Sequence, residues 1–442
     1  MAGRVTAFIG TFFDIPGRNS SIRTEILAGL TTFLSLMYII VINPLILVAA
    51  GLPTGAAVYA TILSAVFGTL LMAFYANRPY AVAPFMGQNA LVTFVLAGTL
   101  HYPWQAIMGA NLIAGVLLTV FILSGAWRHL IVSIPHSISR SCTRGIGFFI
   151  AFLGYYQSEI IVAGSGVGLS HYVRDIEQVH LAILIVGFLV IGIFMIRKIP
   201  GALIAGILAS AALAFATGIE EIPGTFVALP PAPWEVLPQI DIAGALAPAM
   251  IPVILLFFLL TLFDSIATIL GLFRFGEPEW DQPADPADLR KPFLVNSVSM
   301  ALSPVAGSTT AGMFIESAAG MNEGGRTGLT ALVVALLFGL SLFFIPAIDA
   351  FPAIATSSAL VVIGLLMMAP MRLKSIAGKE ELLTSFVLMV TMILTENVGI
   401  GLSAGVLAYP VFMIAAGKRS AIHPAFWALV ACAIVFLAIF PY

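Results

Sequence analysis

The chain has 442 residues, 60% of them hydrophobic and only 9% charged, with a formal net charge of −2 and a mean hydropathy of +1.07. Soluble domains carry about 25% charged residues, so this composition excludes an aqueous fold and makes the lipid bilayer the solvent. No basic tract or aromatic-interleaved patch is present, which sets nucleic acid aside as a partner, and two cysteines, Cys142 and Cys432, are too few for a disulfide framework or a metal cluster.

A helix needs about 20 apolar residues to cross the hydrocarbon. Residues 1–25 are a cytoplasmic N-terminus with three arginines. The first apolar run, 26–49, is longer than the roughly 7–15 residues of a signal h-region and reads as an uncleaved first span. Glu25 and Arg23 at its edge read as interfacial anchors. Six more segments follow at 55–75, 82–97, 104–125, 145–163, 179–196 and 200–217. Between the third-to-last of these and the one before it, 127–145 mixes bases with apolar residues and reads as an amphipathic connector on the inner surface. After a break come 247–272, 291–306, 309–321, 327–347, 352–370, 382–396 and 399–416. A last apolar stretch, 424–441, is either a further span, a half-span or a surface helix.

The break, GIEEIPGTFVALPPAPWEVLPQIDIAGA at 218–245, is rich in proline and acid and lacks lysine and arginine. It divides fourteen segments into seven and seven. An odd number per half places the second half upside down relative to the first, a common transporter architecture. With the N-terminus in the cytoplasm, eighteen of the nineteen Lys and Arg residues fall on the inner side and only Arg174 on the outer, as the positive-inside rule requires of a correct span count.

Two segments are atypical, each the third of its half. AVAPFMGQNALVTFVLA (81–97) carries Pro84, Gly87, Gln88 and Asn89; PVAGSTTAGMFIESAAGM (304–321) carries Gly307, Gly312, four hydroxyl residues and Glu316. Matched interruptions in both halves point to a binding site near the midplane. Their starts read as short extended stretches leading into half-helices, because proline, glycine and threonine disfavour helix there. Extended backbone at that depth must be buried in protein or line a cavity.

These segments and one neighbour hold the candidate chemistry. Asp264 lies late in the span that begins at 247; a charge at a helix centre costs about 2.5–3.5 kcal/mol, so it reads as a ligand or proton acceptor. Glu316 reads as a carboxylate beside the exposed N–H groups of a helix start. Gln88 and Asn89 must find partners in an apolar setting, either another helix or a planar, amide-like ligand. No Walker lysine motif, HExxH pair or GxSxG elbow appears, so neither ATP-driven transport nor an enzyme is expected.

Four stretches then resemble one family. RTEILAGLTTFLSLMYIIVINPLIL (23–47), APFMGQNA (83–90), LFDSIATILG (262–271) and ESAAGMNEGGRTGLTAL (316–332) resemble the AzgA-like purine permeases of the nucleobase–cation symporter-2, or nucleobase–ascorbate, superfamily. The resemblance implies an all-α polytopic membrane protein with fourteen spans in two inverted repeats and short strands in segments 3 and 10. It implies a core formed by 26–125 and 247–347 and a gate formed by 126–217 and 348–417, with 218–246 as the outer loop and 418–442 as a C-terminal segment. It implies Asn89, Asp264 and Glu316 as substrate residues. Gln88, Phe85, Phe314, Ile315 and Ser317 adjoin them, and Phe85 or Phe314 is expected to stack on a base. Glu316 and Asp264 would couple a proton, with no cofactor. The expected activity is proton symport of hypoxanthine, guanine or adenine into the cell, with a homodimer as the family's assembly. Xanthine or uracil, a small anion, and sodium in place of the proton are the alternatives left open.

Overall fold

The computed structural model describes residues 2–128, 136–158, 161–163, 171–173, 178–219, 224–230, 240–276, 286–368, 378–395, 398–424 and 426–439. Residues 220–223 and 231–239 of the break, Arg174 and His129 lie outside the described residues, as do the side chains of His136 and Cys142. The described chain is an integral membrane protein built mainly of apolar helices. Six stretches are long and apolar enough to cross a membrane: Ile22–Ala49, Gly55–Ala76, Trp104–Leu123, Gln178–Ile196, Pro248–Ile266 and Gly328–Asp349. Shorter apolar helices, such as Gly399–Ala415 and Phe426–Ala438, accompany them.

The first run is two helices, Ile22–Leu36 and Ile39–Ala49, rather than one. Ser21 caps the start by accepting a hydrogen bond from Thr24 N at 3.2 Å. Tight turn bonds, Ile40 N to Met37 O and Val41 N to Tyr38 O, mark the break. Just downstream, Pro44 has no N–H to donate to the Ile40 carbonyl. The turn aims the Tyr38 side chain into the interior.

Helices pack in two sets. Helix Gly328–Ser341 lies against Ile22–Leu36 and Thr54–Leu71, while Trp104–Leu123 lies against Pro286–Leu302 and Ile251–Gly276. In the second set, His136–Gln157 packs on Ser357–Met368 and Lys379–Thr395, and Gln178–Ile196 packs on Ala202–Ala216. Residues that the basic-loop numbering puts on the same side meet one another. Asn77 Oδ1 accepts from Gly328 N at 2.7 Å, Lys418 pairs with Glu380, and at the other end Asp241 N donates to Gln105 O at 3.2 Å.

Inside the first set, strand β1 (Val82–Pro84) pairs antiparallel with Ala311–Met313, in the register Val82↔Met313, Ala83↔Gly312, Pro84↔Ala311. The extended stretches expected in segments 3 and 10 are therefore present, and they satisfy each other's backbone groups. Thr69 secures β1 from the neighbouring helix: its hydroxyl donates to Val82 O at 2.9 Å and accepts from Val82 N at 3.0 Å.

Two expectations need correction. The segment read as 145–163 is a helix over His136–Gln157 followed by a strand, Ile161–Ala163, that pairs antiparallel with His171–Val173. Nor is 127–145 a surface connector throughout. Trp127 is buried, its ring 5.1 Å from that of Phe293, and Ile138, Ser141 and Arg144 are buried at the start of the helix. A few charges in an apolar run suggest an interface, but the second helix set covers them. The C-terminal stretch is a helix of 14 residues, Phe426–Ile439; at 1.5 Å per residue it is about 21 Å long, short of the roughly 30 Å hydrocarbon.

Gly312 is where two backbones and a ring meet. A Cβ there would overlap the Phe85 ring and the Asn296 amide oxygen. Gly312→Ala should therefore part the strands, at about 1–3 kcal/mol of overpacking. The expected result is a lower melting temperature of the purified protein together with loss of transport; unchanged melting would show that the strand pair has slack.

Candidate functional site

The paired strands set the geometry. Phe85 N donates to Thr310 O at 2.8 Å and Phe314 N donates to Ala81 O at 3.0 Å, extending the ladder by one bond at each end. Each strand then turns into a short helix, Met86–Ala90 or Ser317–Asn322. Residues some 230 positions apart in sequence thus begin the two short helices that leave this strand pair, and their first turns carry Gln88, Asn89, Glu316 and Ser317.

Phe85 and Phe314 are both buried, and their rings stack on one another with centroids 5.9 Å apart at 27°. A base stacked on either ring would therefore join an existing aromatic pair. Ser317 holds the strand: its hydroxyl accepts from Ala81 N at 2.9 Å. Ile315 is 52% exposed and stands apart from the buried polar groups.

Glu316 has a different partner from the one its position suggests. The N–H groups of Ser317, Ala318 and Ala319 bond to the carbonyls of Phe314, Ile315 and Glu316 in a tight turn, so they are not open to its carboxylate. Instead Tyr38, 278 residues earlier, donates its hydroxyl to Glu316 Oε1 at 2.7 Å. The break in the first span is what aims Tyr38 inward. The sequence signal was a lone tyrosine in an apolar run, which by itself reads as packing.

Asp264 is half-buried on the helix Ile251–Gly276 and lies within electrostatic range of Glu316. Its neighbour Ser265 accepts from Asn296 Nδ2 at 2.6 Å, and Asn296 Oδ1 accepts from Met313 N at 2.9 Å. A relay of side chains therefore ties the Asp264 turn to the second strand.

The two amides of the first half are both paired. Gln88 and Thr261 exchange hydrogen bonds, Gln88 Nε2 to Thr261 Oγ1 at 3.1 Å and Thr261 Oγ1 to Gln88 Oε1 at 3.3 Å. Asn89 Nδ2 donates to Asn43 Oδ1, while its own Oδ1 is buried with no hydrogen-bond partner among the described residues. Tyr38 and Asn43 are the participants that reading the sequence missed. Among the described residues no group of His, Cys, Asp and Glu could hold a metal ion.

What this arrangement can do is hold a flat, polar, uncharged solute. It offers two carboxyl groups, one free amide carbonyl and an aromatic pair in a largely water-free interior.

The Permease family model matches residues 23–398. The guanine/hypoxanthine permease PbuO of Bacillus subtilis is 35% identical over 419 residues, covering 93% of this chain and 96% of the relative. The adenine permease AdeP of Escherichia coli is 33% identical over 415 residues, covering 93% and 92%. Among solved structures, the transmembrane domain of a cyanobacterial bicarbonate transporter, BicA, superposes with a TM-score of 0.67 at 13% identity, covering 87% of this chain and 97% of that one. SLC26A9 superposes at 0.64, also at 13% identity. At that identity the likeness is one of fold alone.

Proposed function

The chain belongs to the Permease family, within the nucleobase–cation symporter-2 superfamily, and from that premise we propose that it imports purine nucleobases by proton symport. The observation that carries the reading is the strand pair, which joins the segments 82–97 and 309–321 and leads into the short helices bearing Gln88, Asn89 and Glu316, with the Phe85 and Phe314 rings stacked on one another. Relatives that transport guanine, hypoxanthine or adenine over nearly the full length support a purine as the guest.

A neutral purine presents ring N–H donors and ring or carbonyl acceptors along one edge. Glu316, held by Tyr38 through Oε1, keeps Oε2 to accept from a ring N–H. Asp264 accepts from a second donor, and Asn89 offers its carbonyl. An analogue lacking one of these partners leaves a buried group unpaired, at about 1–3 kcal/mol. Two carboxyl groups close together in a low dielectric do not both stay ionised easily. One proton taken up with the base lowers the cost of moving the site past the surrounding helices, and the carrier gives up both before it returns.

The reading includes fourteen spans in two inverted halves. Residues 26–125 and 247–347 form a moving core and 126–217 and 348–417 a gate, with the N-terminus in the cytoplasm. The antiparallel pairing of two strands, each in the third segment of its half, fits a two-fold axis in the membrane plane.

The test is uptake of radiolabelled hypoxanthine, guanine and adenine into vesicles holding the purified protein, with an imposed pH gradient, a sodium gradient or neither. Accumulation of a purine driven by the pH gradient is expected. Uptake of uric acid, uracil or ascorbate but of no purine would overturn the substrate, and accumulation that follows sodium would overturn the proton.

A further inference from the structure

A chain of hydrogen bonds behind Asn89 has a direction, and that direction decides which face Asn89 turns to a guest. The chain starts at Thr61, in the helix Thr54–Leu71. Its hydroxyl donates to Ala57 O at 2.7 Å, one turn back along the same helix. The single hydroxyl proton is thereby committed, and Thr61 Oγ1 is left to accept. Asn43 donates to it, Nδ2 to Oγ1 at 2.7 Å. That bond turns the Asn43 carbonyl to the other side, where it accepts from Asn89 Nδ2.

All three side chains are fully buried, and Asn89 Oδ1 is an orphan acceptor. Leaving such a group unpaired is costly in a medium without water. Reversing the relay would need Thr61 to withdraw its proton from Ala57 and both amides to turn over. The relay is therefore a means of holding one amide in one orientation, and the orphan oxygen marks where a donor belongs.

We infer that Asn43 and Thr61 are positioning residues that fix the polarity of Asn89, so that the site presents a carbonyl there and selects bases bringing an N–H donor to it. The inference rests on the purine-transport reading above and deepens it. Neither residue has to touch the base. Thr61 acts through Asn43, and Asn43 through Asn89.

Hypoxanthine and adenine are suitable probes, because they have the same size and exchange donor and acceptor along one edge. Hypoxanthine carries N1–H and a C6 carbonyl; adenine carries a bare N1 and a C6 amino group. The quantity to measure is the ratio of their inhibition constants against uptake of a common labelled base. A packing defect that lowers the number of working carriers leaves this ratio unchanged. Thr61→Val keeps the shape and removes the hydroxyl, so Asn43 and Asn89 are free to turn over, and the ratio should shift by about fivefold or more. Thr61→Ser restores the hydroxyl and should return the ratio to within about twofold of wild type. Asn43→Leu cuts the relay at its middle and should shift the ratio in the same direction, giving the same reading should Thr61→Val not fold. Size-exclusion profiles identify the folded variants. Purine uptake by the wild type with the ratio unchanged in both relay variants would overturn this proposal alone. No purine uptake by the wild type would overturn the transport reading, and this proposal with it.

Discussion

Glu316→Gln should abolish accumulation of purine against its gradient while leaving exchange of base for base across the membrane. The two measurements separate because the substitution keeps shape and removes only the titratable proton. A glutamine carbonyl at this position still accepts from Tyr38, whose hydroxyl lies 2.7 Å from Oε1 in the native protein. Binding therefore survives in weakened form. Exchange needs the loaded carrier to move in both directions but needs no net proton movement. Accumulation needs the empty carrier to return deprotonated, and an amide has no proton to release. Asp264→Asn should give the same separation, since in the proposed cycle either carboxyl group can carry the proton. The assay is counterflow and pH-driven uptake in the same vesicle preparation. Undiminished pH-driven accumulation in both variants would remove these residues from the coupling path, and loss of counterflow as well would assign them to binding alone.

Much of the central site was legible in the sequence because polar and helix-breaking residues stand out against an apolar background. Pro84 and Gly87 in one segment, and Gly307 and Gly312 in the other, break a pattern that would otherwise read as helix, and both strands lie in those segments. Asp264 and Glu316 were conspicuous for the same reason. What was not legible depends on contacts between distant residues. The break at Met37–Tyr38 contains neither glycine nor proline, so the run from 26 to 49 reads as one helix and Tyr38 as packing. Asn43 was in plain view in that run, but its partner Asn89 lies 46 residues on, and hydrophobic periodicity does not register such a pairing. The hairpin of Ile161–Ala163 and His171–Val173 was hidden because three apolar β-branched or small residues extend a helical run equally well. Helix-to-helix covering likewise made Trp127 and Arg144 interior residues despite their charged surroundings.

Glu25 is the residue whose role changes most on seeing the fold, and its removal should be the most damaging change outside the central site. At the edge of the first run, one residue from the exposed Thr24 turn and two from Arg23, it reads as an anchor in the headgroup region. In the structure it is fully buried. Its Oε1 accepts from Arg326 N at 3.0 Å, and its Oε2 accepts from Thr327 N at 3.2 Å and from Thr330 Oγ1 at 2.5 Å. These donors lie at the start of the helix Gly328–Ser341, where N–H groups lack carbonyl partners and the helix dipole favours negative charge. The same turn is closed by Arg326, which donates to the carbonyls of Met321 and Gly325 at 2.7 and 2.9 Å, and by Arg18, which donates to Arg326 O at 3.2 Å. Glu25 thus holds the far end of the short helix that begins beside Glu316. Hydrogen bonds to a charged acceptor are worth about 1.5–3 kcal/mol each. Glu25→Ala strands two backbone donors and leaves Thr330 only the residue-25 carbonyl at 3.3 Å, so a loss of about 3 kcal/mol or more is expected, seen as a lower melting temperature and a smaller monodisperse fraction after detergent extraction. Glu25→Gln should fall between, because its amide keeps one acceptor and points N–H groups at other donors. Arg23→Ala, on the exposed side of the same turn, is the control and should melt as the wild type does. An anchor would lose little on truncation, so wild-type melting of Glu25→Ala would return Glu25 to the headgroups and leave the turn at 323–327 without its stabilising charge.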